Sequence, residues 1–497
     1  MLFNSYEFLL AFLPATLALY FVTARWVGSR AALAILVAAS LFFYGWWNPK
    51  YLALLGFSMV ANFFLGNGIR EAEPARKKWL LTAGIAGNLA LLGWFKYAGF
   101  LAESINAAAG LGLPVPSIVL PLAISFFTFQ QIAYLADTYY GFVAEKSFLR
   151  YSLFVCFFPQ LIAGPIVHHT EMLPQFAEPG RFKPSWDSLA VGSAIFSIGL
   201  FKKVVLADTV ALWADPVFDA AAGGAQPGFL AAWGGALAYT LQLYFDFSGY
   251  SDMAVGLARL FNIHLPINFF SPYKARNISD FWRRWHITLS RFLRDYLYIP
   301  LGGNRRGRNR RYLNLMVTML LGGLWHGAGW TFVVWGALHG AYLGIALAWP
   351  SIRAGLRLPR LPERLAGLVA WGLTFLAVVV GWVFFRAESF DAAGRILAGM
   401  TGLAGRPLQL GAFGSAWGWF WILGLLAAAW LLPNTYELMA RYRPALITYR
   451  EHEAALRRAL VRVHWRPRPA WAVGLATGFA AAFIRLHHEQ VFLYFQF

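Results

Sequence analysis

The chain has 497 residues, of which 59% are hydrophobic, 18% aromatic and only 13% charged, whereas soluble domains carry about 25% charged residues. With a mean hydropathy of +0.52, this excludes a disordered chain, a disulfide scaffold and an ordinary cytosolic enzyme, and reads as an all-α polytopic membrane protein. The net charge of +19, from 42 Lys and Arg against 23 Asp and Glu, fits a nucleic-acid binder only if a soluble domain carries a basic face. A membrane protein gathers such charge in cytoplasmic loops, and the hydrophobic content selects that source. The single cysteine, Cys156, precludes an internal disulfide and, between Phe154 and Phe158, reads as a small buried hydrophobe.

A spanning helix takes about 20 mostly apolar residues. Stretches free of Asp, Glu, Lys and Arg cover 8–24, 31–49, 51–69, 79–95, 104–136, 151–170, 188–201, 220–245, 312–352, 365–385, 407–436 and 469–484. Residues 104–136 hold one span with room to spare, 151–170 a short one broken at Pro159 and Gly164-Pro165, and 312–352 two. About 11 to 13 spans are predicted, some re-entrant. The first segment lacks a basic leader and a small-residue cleavage site, so it is expected to stay in the membrane. Glu7 precedes it and Arg25 and Arg30 follow it, which places the N-terminus outside. Residues 274–311 carry eleven Lys and Arg against Asp280 and Asp295, a net +9, and residues 441–468 carry eight Arg against Glu451 and Glu453, a net +6. Both stretches are expected inside, where anionic lipid attracts them, and the alternation then puts the C-terminus outside. No soluble domain, repeat or low-complexity tract interrupts 1–497.

Polar groups within spans are costly and are candidates for function. The uncharged run 312–352 holds two histidines, His326 in Leu321–Gly329 and His339 in Trp335–Gly340. Thirteen residues apart, they suit neighbouring spans of a hairpin rather than one helical face. A neutral imidazole can take a proton from a hydroxyl near neutral pH; the alternative is a pair of hydrogen-bonded packing histidines. No third ligand stands at metal-site spacing, so no metal is expected. A second constellation, Gln242–Asp252, places Asp246 and Asp252 in an aromatic stretch. They are suited to binding a cation, orienting a histidine or pairing with Arg283 or Arg284; the plain alternative is that they mark a helix end. A third, Asp280–His286 followed by Arg291, Arg294 and Asp295, alternates Arg with Trp. That pattern suits a helix at the membrane surface and equally a phosphate-rich ligand. His168 and His169, after the break at Gly164-Pro165, are weaker candidates for lining a lumen.

Taken together, these motifs resemble the membrane-bound O-acyltransferase (MBOAT) family, and most closely its bacterial branch that acts in O-acetylation of exported polysaccharides such as alginate. The matching residues include Met1–Ser5, Phe42–Trp47, Gly93–Tyr97, Leu120–Phe126, Phe158–Pro165, Gln242–Asp252, Phe281–Ser290, Leu293–Tyr298, Leu301–Arg305 and Leu321–Ala328. They span roughly 1–345, with 281–328 the most specific stretch; 350–480 matches in hydropathy alone.

The resemblance implies one membrane domain over 1–497, a ring of tilted helices around a tunnel. Its core would be about 95–345, with N-terminal spans in 1–95 and C-terminal spans in 346–497. It implies that His326 is catalytic and that His339 shares the site, with Trp325, Asp246, Asp252, Gln242 and Tyr250 supporting it. It further implies a cytoplasmic acyl donor, expected to be acetyl-CoA, used as substrate with no bound cofactor, and gripped by Arg283, Arg284, Arg291 and Arg294. The acyl group would cross the bacterial inner membrane to an extracytoplasmic polysaccharide, with a secreted or membrane-anchored esterase-like (SGNH) partner completing transfer. A cell-wall O-acetyltransferase, such as one acting on peptidoglycan, is the alternative within the branch. A transporter with Asp246 and Asp252 as coupling carboxylates is the alternative of another class, and it predicts internal repeats in hydropathy that the chain lacks.

Overall fold

The computed structural model describes residues 1–142, 145–357, 359, 361–403, 416–459, 464–486 and 492–493. Among them the chain is helical and contains no strand. In chain order the helices are α1 Leu13–Trp26, α2 Ser29–Gly45, α3 Lys50–Glu71, α4 Pro74–Leu92, α5 Ala98–Ala109, α6 Ile124–Tyr139, α7 Phe148–Cys156, α8 Phe158–Leu161 and α9 His169–Ala177. They continue as α10 Trp186–Phe201, α11 Asp208–Ala222, α12 Phe229–Leu260, α13 Ile278–Trp282, α14 Ile287–Leu293, α15 Arg308–His326 and α16 Trp330–Gly355. The last are α17 Glu363–Arg386, α18 Phe390–Thr401, α19 Ala416–Leu431, α20 Thr435–Leu438, α21 Arg450–Ala459 and α22 Pro469–Ile484. Local sequence explains many starts. Pro74 and Pro469 open α4 and α22, and Ser147, Ser185, Asn277 and Ser389 accept a backbone hydrogen bond as N-caps of α7, α10, α13 and α18.

Among the described residues, six continuous helices are long and apolar enough to cross a membrane, and three shorter apolar helices, Ser29–Gly45, Trp417–Leu431 and Pro469–Ile484, accompany them. Residues 104–136 do not form a single span. Gly110, left-handed at φ 64°, ends α5, and Pro114, Pro116 and Pro121 keep 110–123 irregular until α6 begins. Residues 151–170 break into α7, α8 and a buried turn. The expected outer C-terminus, Phe497, lies outside the described residues.

The longest helix, α12, is buried along nearly its whole length, and α10 crosses it at glycines. A Cβ on Gly199 would stand 2.6 Å from the Gly249 carbonyl oxygen, and one on Gly256 would stand 2.6 Å from the Phe196 amide nitrogen and 2.7 Å from the Gly192 carbonyl oxygen. Two glycines seven residues apart on each helix thus meet their counterparts backbone to backbone, the small-residue packing that membrane helices use in place of a hydrophobic drive. The same seam carries charge. Between α10 and α11 a π-helical turn, Lys202–Ala207, presents two lysines. Lys203 Nζ lies 2.7 Å from both Asp208 and Asp246, and Lys202 Nζ lies 2.6 Å from Asp252. Thr435 also donates to Asp252 at 2.6 Å, and the Leu493 amide donates to Asp246 at 3.3 Å. Asp246 and Asp252 therefore lie in mid-helix and pair with lysines. They neither mark a helix end nor pair with Arg283 or Arg284, because the α10–α12 crossing brings residues far apart in sequence into contact.

Gly256→Val should cost about 2 kcal/mol or more by overpacking, read as a lowered thermal unfolding midpoint in detergent. Gly394→Ala, on an exposed stretch of α18 with nothing within 4 Å of the added carbon, should leave the midpoint unchanged or slightly raised. Lys203→Met should cost about 3–5 kcal/mol by stranding buried carboxylates, and Lys203→Met with Asp246→Asn should recover part of that loss.

Candidate active site

Helices α15 and α16 form the hairpin that the spacing of His326 and His339 implies. Gly323 and Gly336 allow it: a Cβ on either would overlap a backbone carbonyl of the opposing helix, that of Phe332 or of Met319. His326 is the last residue of α15, with Gly327–Gly329 turning the chain into α16. Its ring is buried between Trp325, Trp335 and Phe385, at centroid distances of 5.0, 5.1 and 5.2 Å. His326 and Trp325 also line a cavity of about 370 Å³ together with Trp47, Lys96, Ser125 and Phe126. Leu120–Ala123, in the irregular 110–123 segment, form part of its wall.

The end of α15 is held from another helix. Lys96 and Tyr97 stand in a second π-helical turn, Gly93–Tyr97, between α4 and α5. Lys96 Nζ donates to the carbonyls of Trp325 at 2.5 Å and His326 at 3.2 Å, and the Tyr97 hydroxyl donates to that of Leu324 at 2.9 Å. These are carbonyls that a helix end leaves without intrahelical donors. A third histidine joins the site. His286 is fully buried, its ring centroid 6.3 Å from that of His326. Its backbone is left-handed, φ 40°, which is costly for a residue with a Cβ. Its Nδ1 lies 3.1 Å from Asn268 Oδ1, which also accepts from the Thr288 hydroxyl at 2.9 Å. Sequence reasoning did not single out Lys96 or His286, although both fall within motifs that carry the family resemblance.

His339 is fully buried in an aromatic box, 4.7 Å from Trp335, 5.3 Å from Trp282 and 6.2 Å from Trp382 between centroids. Neither ring nitrogen makes a hydrogen bond among the described residues. Trp335 contacts both His326 and His339, so the two histidines share one ring rather than one cavity. Trp325 reaches the site directly. Gln242, Asp246, Tyr250 and Asp252 are buried on α12 and do not line the His326 cavity. Tyr250 instead packs on Phe3 and Phe492, at 4.9 and 4.5 Å.

The arginines gather near the opposite end of α15. Arg294 and Arg311, with Ser279 and Ser290, line a cavity of about 280 Å³. Arg311 also lines an adjoining one of about 410 Å³ with Arg308, Asn304 and Ser351. Arg294 pairs with Asp295 at 2.7 Å, while Arg311 has no carboxylate partner among the described residues. The others are engaged elsewhere: Arg283 with Glu451 at 3.1 Å, Arg284 with Asp280 at 2.8 Å, and Arg291 in two bonds to Glu171 at 2.5 and 2.8 Å. Burial alone would raise the Glu171 carboxyl, but the Arg291 hydrogen bonds and charge hold it below its usual range. His168 and His169 sit beside this pair, near Asp137 and Tyr296, rather than lining the His326 cavity. Trp282 and Trp285 are buried in the core, so the alternation of Arg and Trp there does not describe a helix lying in the membrane surface. From Arg311 to His326 the helix rises about 22 Å.

This geometry puts a buried histidine at one end of α15 and arginine-lined cavities near the other. The model of the membrane-bound O-acyltransferase family matches residues 142–371. The chain is 47% identical over 435 residues to a peptidoglycan O-acetyltransferase of Helicobacter pylori, covering 82% of this chain and 81% of that protein. It is 44% identical over 409 residues to a probable alginate O-acetylase, AlgI, of Pseudomonas putida, covering 80% of each. A teichoic acid D-alanyltransferase of Streptococcus thermophilus is 31% identical over 240 residues, 46% of this chain and 57% of that protein. With identity above 40% across four fifths of its length, the chain belongs to the membrane-bound O-acyltransferase family and is a multi-pass membrane acyltransferase.

Proposed function

We propose that the chain moves an acetyl group from cytoplasmic acetyl-CoA through the bacterial inner membrane to a hydroxyl presented on the outer face, for O-acetylation of an exported polysaccharide of the alginate kind. The observation that carries this reading is the disposition of α15: His326 lines one cavity, and Arg311, about 22 Å from it along the helix, lines others. The positive-inside rule puts the arginine end in the cytoplasm and the cavity that includes Met1 and Trp47 outside. Both termini are then extracytoplasmic. A secreted or membrane-anchored esterase-like partner completes the transfer. The 47% identity to a peptidoglycan O-acetyltransferase favours a second reading, a cell-wall polymer as the final acceptor.

The chemistry follows from the groups present. Arg294 and Arg311, with Arg308, hold the donor phosphates at the basic end. Arg291 belongs to the scaffold through Glu171. A hydroxyl is a weak nucleophile, and His326 takes its proton as the oxygen attacks the acetyl carbonyl. The carbon–sulfur bond then breaks, and the proton passes to the departing thiolate. His339, one ring behind, supports Trp335 and through it the His326 imidazole.

With labelled acetyl-CoA and protein in nanodiscs, His326→Ala should lower transfer or donor hydrolysis by about 10²–10⁴-fold; retention of the wild-type rate sinks the assignment. His339→Ala should cost less, about tenfold, because it acts through Trp335. Arg294→Gln with Arg311→Gln should raise KM for acetyl-CoA about tenfold or more and leave kcat near wild type, while Arg283→Ala leaves both unchanged. Incubation with acetylatable alginate against peptidoglycan fragments, each with the cognate extracytoplasmic partner, separates the two acceptors.

A further inference from the structure

Three lysines stand on π-helical turns within long apolar helices: Lys96, Lys202 and Lys203. The last two are neutralised by Asp252, Asp246 and Asp208. Lys96 has no carboxylate partner among the described residues; it donates to the carbonyls of Trp325 and His326 and lies 5.9 Å from the Trp325 ring centroid. An ammonium within a membrane-spanning segment is costly, and one retained there without a counter-ion points to function. A π-helical turn inserts an extra residue and redirects side chains, a feature frequent at functional sites. Here the turn aims Lys96 and Tyr97 at the last carbonyls of α15, where the helix dipole also favours a cation.

We infer that Lys96 is a positioning residue for acyl transfer. It clamps the final turn of α15 so that the His326 imidazole is fixed against the cavity, and its ammonium form places a positive charge on the wall of that cavity. Attack on an acetyl carbonyl develops an oxyanion, and a preorganised cation in a water-poor cavity favours it. Misplacing a base by about 1 Å costs on the order of 10²-fold, so both contributions fall on kcat. The inference deepens the acetyl-transfer reading and rests on it for its kinetic arm.

Wild-type protein is compared in nanodiscs with Lys96→Met, Lys96→Arg and Lys96→Cys, using labelled acetyl-CoA. Lys96→Met should lose about 100-fold in kcat while KM for acetyl-CoA stays near wild type, and Lys96→Arg should recover about a tenth or more of the lost rate. Cys156, the one native thiol, is fully buried, so 2-bromoethylamine converts Lys96→Cys alone into a lysine-like side chain. That product, verified by mass, should outperform its unalkylated parent about tenfold or more. Hydrogen exchange at 323–329 supplies a readout that needs no donor: Lys96→Met should exchange faster there, and Lys96→Arg should not. Wild-type kcat in Lys96→Met, or no gain on aminoethylation, overturns the inference. Absence of transfer from wild type sinks the acetyl-CoA reading instead, and unchanged exchange in Lys96→Met then overturns the role of Lys96 independently.

Discussion

A helix that ends inside a membrane protein leaves carbonyls that lipid cannot satisfy. In this chain that constraint falls on α15, whose last residue is His326. Its carbonyls are met by Lys96 and Tyr97, from a helix some 230 residues earlier in the chain. The site depends on this contact. The Gly323–Gly336 approach sets how closely α16 can follow, and the cavity wall is completed by the irregular segment before α6. The position of the histidine is therefore set by how three parts of the chain close one helix end.

The second constraint is the cost of charge away from water. The α10–α12 seam meets it by pairing: two lysines on one π-helical turn face three carboxylates. Pairing needs close backbones, and the four glycines at the crossing supply them. Buried ion pairs contribute little net stability compared with well-packed apolar residues, but breaking one is severe. The seam thus specifies how α10 and α12 must lie rather than strengthening the core. Leu493, bonded to Asp246, ties the end of the chain to the same seam. Lys96 meets the problem differently, with carbonyl oxygens in place of carboxylates.

Much of this was legible in the sequence. Scarcity of charge located the apolar helices, and the two histidines of the longest uncharged run marked the hairpin that forms α15 and α16. The basic stretch 274–311 identified the end of α15 where Arg294 and Arg311 line cavities. What was not legible depends on contacts across the fold. Asp246 and Asp252 looked like partners for Arg283 and Arg284, which are closer in sequence than Lys202 and Lys203. The glycine crossing that reverses this choice has no local signature beyond a seven-residue repeat of glycine. His286 was hidden for another reason. Its ring comes within 6.3 Å of His326 only because its backbone takes a left-handed conformation, which no pattern of residue types announces for a histidine. Charge-free runs also do not show where prolines and glycines divide a run into shorter pieces, as they do in 104–136 and 151–170.

The division of α15 into a basic end and a histidine end carries the chemical logic of the molecule. An activated acyl donor with several phosphates cannot enter a low-dielectric interior, because each charge would have to be desolvated. Its phosphates must remain at the membrane surface while its neutral acyl arm travels inward. Arginines at one end of a helix and an imidazole at the other separate those two demands along a single rigid element. On the acetyl-transfer proposal, a sugar hydroxyl approaching from the opposite face would meet only the neutral part of the donor. The acetyl-transfer proposal asks this cavity for one group to take a proton and a cation to face the oxyanion, and His326 and Lys96 both line it. Lys96 and His326 are held together by the bonds between Lys96 and the end of α15, so a shift of the α4–α5 helix would displace both together.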